Sequence, residues 1–193
     1  VYAGVTWNEF GLIANEYGYL RDQYKGAGSL YWGIPNRVSY FFDFVGPSIA
    51  VDTACSSSLV AVHLASQALR SGECEMALAG GVNLNLHPAK YLFLSNSGFL
   101  SSEGKCRGFG QGGDGYVPSE GVAVLVLKPL ASAVQAGDRI YGVIKATATN
   151  HGGKATGYTV PNPRAHKEVI RSALNRAQVS PRDIGYIECH GTG

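Results

Sequence analysis

The segment "VDTACSSSLVAVHLA" (residues 51–65) joins two periodicities. The run "PSIAVDTA" around its start is short and apolar, so it reads as a buried strand closing on Cys55. After Cys55 the pattern turns helical. Leu59, Val60, Val62, Leu64, Ala65, Ala68 and Leu69 predict a helix over residues 56–71, with Gly72 as its stop. Those positions go round most of the helix, and a helix apolar nearly all round is expected to be buried. A strand feeding straight into a buried helix is a building unit of α/β layers.

The rest of the chain continues the alternation. "VYAGVTW" reads as a strand, and residues 8–33 as loop and short helix carrying Tyr17, Tyr19, Tyr24, Tyr31 and Trp32. Pro35 suits the first turn of a helix reaching Phe42. "MALAGGVNL", "IYGVIKATATNH" and "GYIECH" read as strands, "VAVLVLKPL" as a clean buried strand, and residues 165–177 as an amphipathic helix. Residues 95–121 are rich in Gly, Ser and charge. A loop that long is more often functional than idle. A compositional seam at residues 131–138 divides the chain into parts 1–135 and 136–193.

Composition removes several function classes. The 193 residues are 45% hydrophobic and 16% charged, as in a globular protein rather than a disordered one. A net charge of +2 offers no electrostatic argument for nucleic acid or for a membrane surface. No apolar run approaches the ~18 residues of a membrane span. The four cysteines show neither CxxC nor CxxH spacing, so no metal site and no disulfide scaffold is expected, and a reducing cytoplasm fits. There is no initiator Met, and the ends "VYAGV" and "ECHGTG" read as those of an internal piece.

Two residues stand out chemically. Cys55 lies where a helix start would favour an anion, and hence a thiolate. A strand-to-helix turn also exposes a nucleophile sterically. The competing reading is a buried, inert thiol. His63 is two turns further along the helix, about 12 Å by rise, and reads as a satisfied core histidine. His190 ends an apolar strand and opens "HGTG", where glycines permit close approach. By itself that motif reads first as a plain turn after a strand.

Taken together, the motifs resemble the β-ketoacyl synthases, the condensing enzymes of fatty acid and polyketide synthesis. "VDTACSSSL" is followed 135 residues after Cys55 by "ECHGTG". "GVNLNLHP", "GKCRGFGQGGDGYVPSEG" and "NHGGKATGYTVPNP" fall between them in the family's order. "KCRGF", "DGYVPSEG" and "HGTG" are similar to modular type I polyketide ketosynthases, and "NHGGKATGYTVPNP" to modules served by a separate acyltransferase.

The resemblance implies an α/β fold, thiolase-like and layered αβαβα. This chain would supply most of its N-terminal half and the start of the C-terminal half. It implies an acyltransferase in which Cys55 is acylated and His190 is one of two histidines holding the malonyl thioester. Thr192 would contact the phosphopantetheine arm. The resemblance further implies no directly bound cofactor, phosphopantetheine-linked substrates carried on acyl carrier protein, and a homodimer for the full-length enzyme. The second histidine and a lysine would lie past Gly193. Ser119 departs from the glycine common in the family. Arg107, Asp114 and Glu120 are expected to pin the long loop by charge-assisted hydrogen bonds. Two alternatives remain open: a non-elongating ketosynthase that only passes acyl chains on, and a cysteine hydrolase.

Overall fold

The computed structural model describes residues 1–18 and 30–192, so Tyr19, Tyr24 and Gly193 lie outside the described residues. Four strands form one mixed sheet in the order β2-β1-β3-β4. They are β1 (Tyr2–Gly4), β2 (Ile49–Val51), β3 (Ala77–Asn83) and β4 (Gly121–Leu127). β1 runs parallel to both β2 and β3, pairing Gly4 with Val51 and with Gly81. β4 runs antiparallel to β3 and pairs Gly121 with Asn83. The exits of β1, β2 and β3 and the entry of β4 therefore share one edge of the sheet.

The helices are α1 (Glu9–Ile13), continued by a π turn (Ala14–Gly18), α2 (Gly33–Phe42), α3 (Ser57–Ser71), α4 (Pro88–Asn96), α5 (Leu130–Ala136) and α6 (Pro163–Ala177). α3 lies on the sheet through Ser57, Ala61, Ala65 and Ala68, a one-faced helical stripe. With Tyr2, Val51, Ala77 and Ala79, its alanines make the core. The small side chains match a close approach. A Cβ on Gly4 would lie 2.6 Å from the Ser58 amide nitrogen, and one on Gly81 2.9 Å from the Ser58 Cβ.

The structure corrects the expectation of a helix buried all round. Leu59 is 74% exposed, because the sheet covers one face and no described element covers the opposite one. One flank is held by polar contacts instead. His63 Nδ1 lies 2.7 Å from Thr147 Oγ1, and Arg70 donates to the Lys145 carbonyl at 3.0 Å. Burial and the charges of Arg176 and Arg70 push the His63 imidazole below its ordinary range.

Other boundaries also move. "IYGVIKATATNH" and "GYIECH" belong to no ladder, since their backbones find no strand partner among the described residues. Arg176 instead donates to the Thr147 carbonyl at 3.2 Å. The sequence reading assigned no helix to α4 or α5. α4 starts at Pro88, with His87 Nδ1 accepting from the Ala89 amide at 3.1 Å. α5 occupies the seam, and the Lys128–Asp138 ion pair (2.7 Å) joins its flanks. α6 starts two residues earlier than expected because Asn162 caps it, accepting from the Arg164 and Ala165 amides.

Candidate active site

Open α/β sheets bind ligands beyond the carboxyl ends of their parallel strands. Here that edge carries Cys55. β2 ends at Val51, and the six residues from Asp52 to Ser57 turn the chain into α3. Asp52 Oδ1 accepts from the Thr6 hydroxyl at 2.9 Å and from the Ala54 amide at 3.1 Å. Ser57 Oγ accepts from the Thr53 amide (2.9 Å) and donates to the Ala54 carbonyl (2.6 Å). Ser56 Oγ donates to the Thr53 carbonyl at 2.8 Å. Two of the three serines after Cys55 thus fix the turn, and Ser58 packs against the sheet glycines.

This lattice holds Ala54 at φ 52°, in the left-handed region that an alanine rarely enters. The cost is about 1–2 kcal/mol, sustained only because the surrounding bonds over-determine the turn. The result is an exposed Cys55 thiol. α3 begins at Ser57, so Cys55 precedes the first helical residue by two positions rather than one. The Ser56 and Ser57 amides close onto the Thr53 and Ala54 carbonyls. Among the described residues the Cys55 amide donates to no other group, which leaves an N–H beside the thiol.

The long loop leaves α4 and returns to β4 at the same edge. Tyr116 is half-buried, and its hydroxyl is held above the ordinary phenol range by burial and by the neighbouring charge of Cys55. Its backbone is anchored by a bond from its amide to the Phe99 carbonyl at 2.9 Å. Asp114 accepts from the Ser102 hydroxyl and amide, which depresses its carboxyl below the usual range. Arg107 pairs with Glu103, and Cys106 Sγ accepts from the Val117 amide at 3.1 Å. Glu120 Oε1 accepts from the Asn85 amide at 2.7 Å.

The same loop meets the "HGTG" segment. A Cβ on Gly108 would lie 2.6 Å from the Gly191 carbonyl oxygen, and the Phe109 ring packs against Gly191. Phe109 itself sits at φ 61°. The loop therefore touches the residue after His190 through Gly108 and Phe109 and returns to β4 at the edge that carries Cys55. His190 and Thr192 are both exposed. A groove of about 440 Å³ lies at the opposite end of the strands, lined by Val1, Phe44, Pro47, Cys74 and Leu78, away from these groups. Among the described residues no group of three or more His, Cys, Asp or Glu could hold a metal ion.

The family model for the β-ketoacyl synthase N-terminal domain matches residues 1–133, and that for its C-terminal domain matches residues 141–193. The chain belongs to the β-ketoacyl synthase family. It is 57% identical over its whole length to polyketide synthase PksL of Bacillus subtilis and 56% identical to polyketide synthase ThaG of Burkholderia thailandensis. It spans only 4% and 3% of those relatives. Among solved structures it superposes on an oxazolomycin ketosynthase domain of Streptomyces albus JA3453 with a TM-score of 0.94 and 52% identity. The match covers all of this chain and 34% of that one. The ketosynthase from module 6 of the Bacillus subtilis bacillaene synthase follows at a TM-score of 0.90 and 40% identity, with 32% of that chain covered. The fold is accordingly thiolase-like, and ketosynthases of this kind are condensing, transferase-type enzymes.

Sequence reasoning missed several residues that frame this ketosynthase edge: Thr6, Ser57, Phe109, Tyr116, Glu9 and Lys90. The hydroxyls looked like ordinary turn composition. Phe109 and Tyr116 gave no signal, because only the folded loop brings them to the two motifs. Glu9 and Lys90 are 3% exposed, and no periodicity marked them as buried.

Proposed function

We propose that this chain carries the acyl-accepting half of a polyketide ketosynthase site. The Cys55 thiolate attacks an acyl-phosphopantetheine thioester, and the pantetheine thiol leaves. The Cys55 amide N–H stabilises the developing oxyanion. A malonyl-type thioester then loses carbon dioxide, with His190 holding its carbonyl oxygen as the enolate forms. The carbanion attacks the acyl-Cys55 carbonyl, and the cysteine thiolate departs, leaving a β-ketoacyl thioester of the 3-oxoacyl-carrier-protein synthase type. Thr192 is assigned to the pantetheine arm.

The partners are acyl carrier protein and a second copy of the full-length enzyme, in the cytoplasm, with extender units loaded by a separate acyltransferase. We place the division of the two halves at residues 135 and 136. The observation that carries the reading is the sheet edge that bears the exposed Cys55 thiol and to which the loop returns, with Gly108 of that loop abutting the residue after His190.

The test is intact-protein mass spectrometry of the full-length protein after exposure to an acyl-pantetheine thioester. Cys55→Ala loses the acyl adduct, whereas Cys74→Ala keeps it. His190→Ala still acylates but no longer decarboxylates malonyl thioester. Adduct persisting in Cys55→Ala, or full decarboxylation in His190→Ala, overturns the assignment. Steady hydrolysis of the acyl thioester without malonyl carrier protein would point to a hydrolase instead.

A further inference from the structure

Behind the loop lies a buried charged cluster that the proposed chemistry does not use. Lys90 of α4 and Glu9 of α1 are each 3% exposed. Lys90 Nζ donates to Asn83 Oδ1 at 2.6 Å and to the Leu84 carbonyl at 2.9 Å, and lies 5.4 Å from the centre of the Trp7 ring. Asn83 Nδ2 in turn donates to the Ser119 carbonyl. Glu9 Oε2 accepts from the Leu86 amide at 2.6 Å, and Glu120 Oε1 from the Asn85 amide. The exit of β3 (residues 83–86) is thereby bonded to α1, to α4 and to the foot of the loop.

A buried ammonium is costly unless balanced. Burial pulls the Lys90 ammonium below its ordinary range, and the charges of Glu9 and Glu120 oppose that pull. The nearby His87–Glu16 pair (3.2 Å) sits at the start of α4. Removing Lys90 would free Asn83 Oδ1 and the Leu84 carbonyl from their contacts and take away a buried positive charge that Glu9 and Glu120 face, loosening the foot of the loop at Ser119 and Glu120.

The two ends of the site depend on this loop unequally. The Cys55 turn is fixed by its own hydroxyls and by Thr6. The "HGTG" segment meets the loop directly at Gly108 and Phe109. We propose that Lys90, clamped through Asn83 to the foot of the 97–120 loop and flanked by Glu9 and Glu120, is a positioning residue that sets His190 for condensation without taking part in acylation of Cys55. This inference rests on the ketosynthase reading.

The experiment uses the full-length protein with Lys90→Met, Lys90→Arg and the double variant Glu9→Gln/Lys90→Met. Three quantities are read: acylation of Cys55 by mass spectrometry, decarboxylative condensation, and the rate of limited tryptic cleavage after Lys105 and Arg107 in the loop. For Lys90→Met the expected result is acylation within about threefold of wild type, condensation down at least tenfold, and loop cleavage at least tenfold faster. Lys90→Arg, or removal of the Glu9 charge in the double variant, should recover part of the loss. Unchanged loop cleavage in Lys90→Met overturns the proposal whatever the activity of the enzyme, and so separates it from failure of the ketosynthase reading. Equal loss of acylation and condensation also overturns it, since Lys90 would then hold up the whole fold.

Discussion

The residue before the nucleophile carries the strain of the site. Ala54 is held at φ 52° by bonds to its amide and its carbonyl from Asp52 and Ser57. Glycine enters that region without a Cβ penalty, whereas a β-branched residue does so poorly. Ala54→Gly should therefore leave stability unchanged or raise it by up to about 1 kcal/mol. Ala54→Val should lower it by about 1–3 kcal/mol and slow Cys55 acylation, because the turn must open to admit it. Denaturant unfolding and acyl-adduct formation in the full-length protein check both. Greater stability for Val than for Gly would refute the assigned strain. Asp114 gives a pH test at the same scale. Its carboxyl is depressed by the Ser102 hydroxyl and amide. The folded state therefore releases this proton more readily than the unfolded state, and the stabilisation is complete above the ordinary carboxyl value of about 3.9. It is lost as pH falls through the depressed folded value. Hydrogen exchange at the Ser102 amide, taken relative to an unstructured chain at the same pH, should accelerate across that acid window in the wild type. In Asp114→Asn it should already be faster at neutral pH and show no acid step.

At the level of elements, α3 is set by how closely it can approach the sheet. The Ser58 backbone occupies the space a Cβ on Gly4 would take. Gly4→Ala must push α3 outward and is expected to cost about 1–3 kcal/mol. Because α3 carries the Cys55 turn, acylation should slow in the same variant. A Gly4→Ala protein with the wild-type unfolding midpoint would show that the helix slides freely. Legibility from sequence followed the same physics. The strand-turn-helix around Cys55 could be read because apolar period and glycine stop agree there, and the sheet confirms strands over Ala77–Asn83 and Gly121–Leu127. The second of these, expected to be buried, is exposed, because it lies at the sheet edge and no described element covers its faces. α4 and α5 were missed because they are short and weakly patterned, and α4 is marked mainly by the His87-Pro88 cap. The segments around residues 140–151 and 185–190 have strand-like composition, but strands exist only through partners, and composition does not supply one. Within the site, Cys55 and His190 were legible as motif residues. Thr6, Phe109 and Tyr116 were not, since their roles depend on contacts between segments far apart in sequence.

For the whole molecule, the decisive quantity is apolar surface. Tyr40 is 91% exposed and Phe41 78% on α2, and Val122 is 73% and Val126 66% exposed on the edge strand β4. With Leu59 on the outer face of α3, these residues leave helices and sheet open on faces that a finished layered fold would cover. Exposed patches of this kind, beside an edge strand with unpaired backbone groups, drive association. The chain spans about a third of the solved ketosynthase domains it superposes on. Residues 1–193 produced alone are therefore expected to aggregate or to elute as large assemblies, without a cooperative melting transition. The intact ketosynthase domain should elute as a discrete species and unfold cooperatively. Size-exclusion chromatography with light scattering, followed by a thermal melt, distinguishes the two. A soluble monomer of residues 1–193 with a sharp transition would mean that the small alanine core between α3 and the sheet outweighs the uncovered faces. The exposed aromatics of α2 and valines of β4 would then have to be explained as surface in their own right.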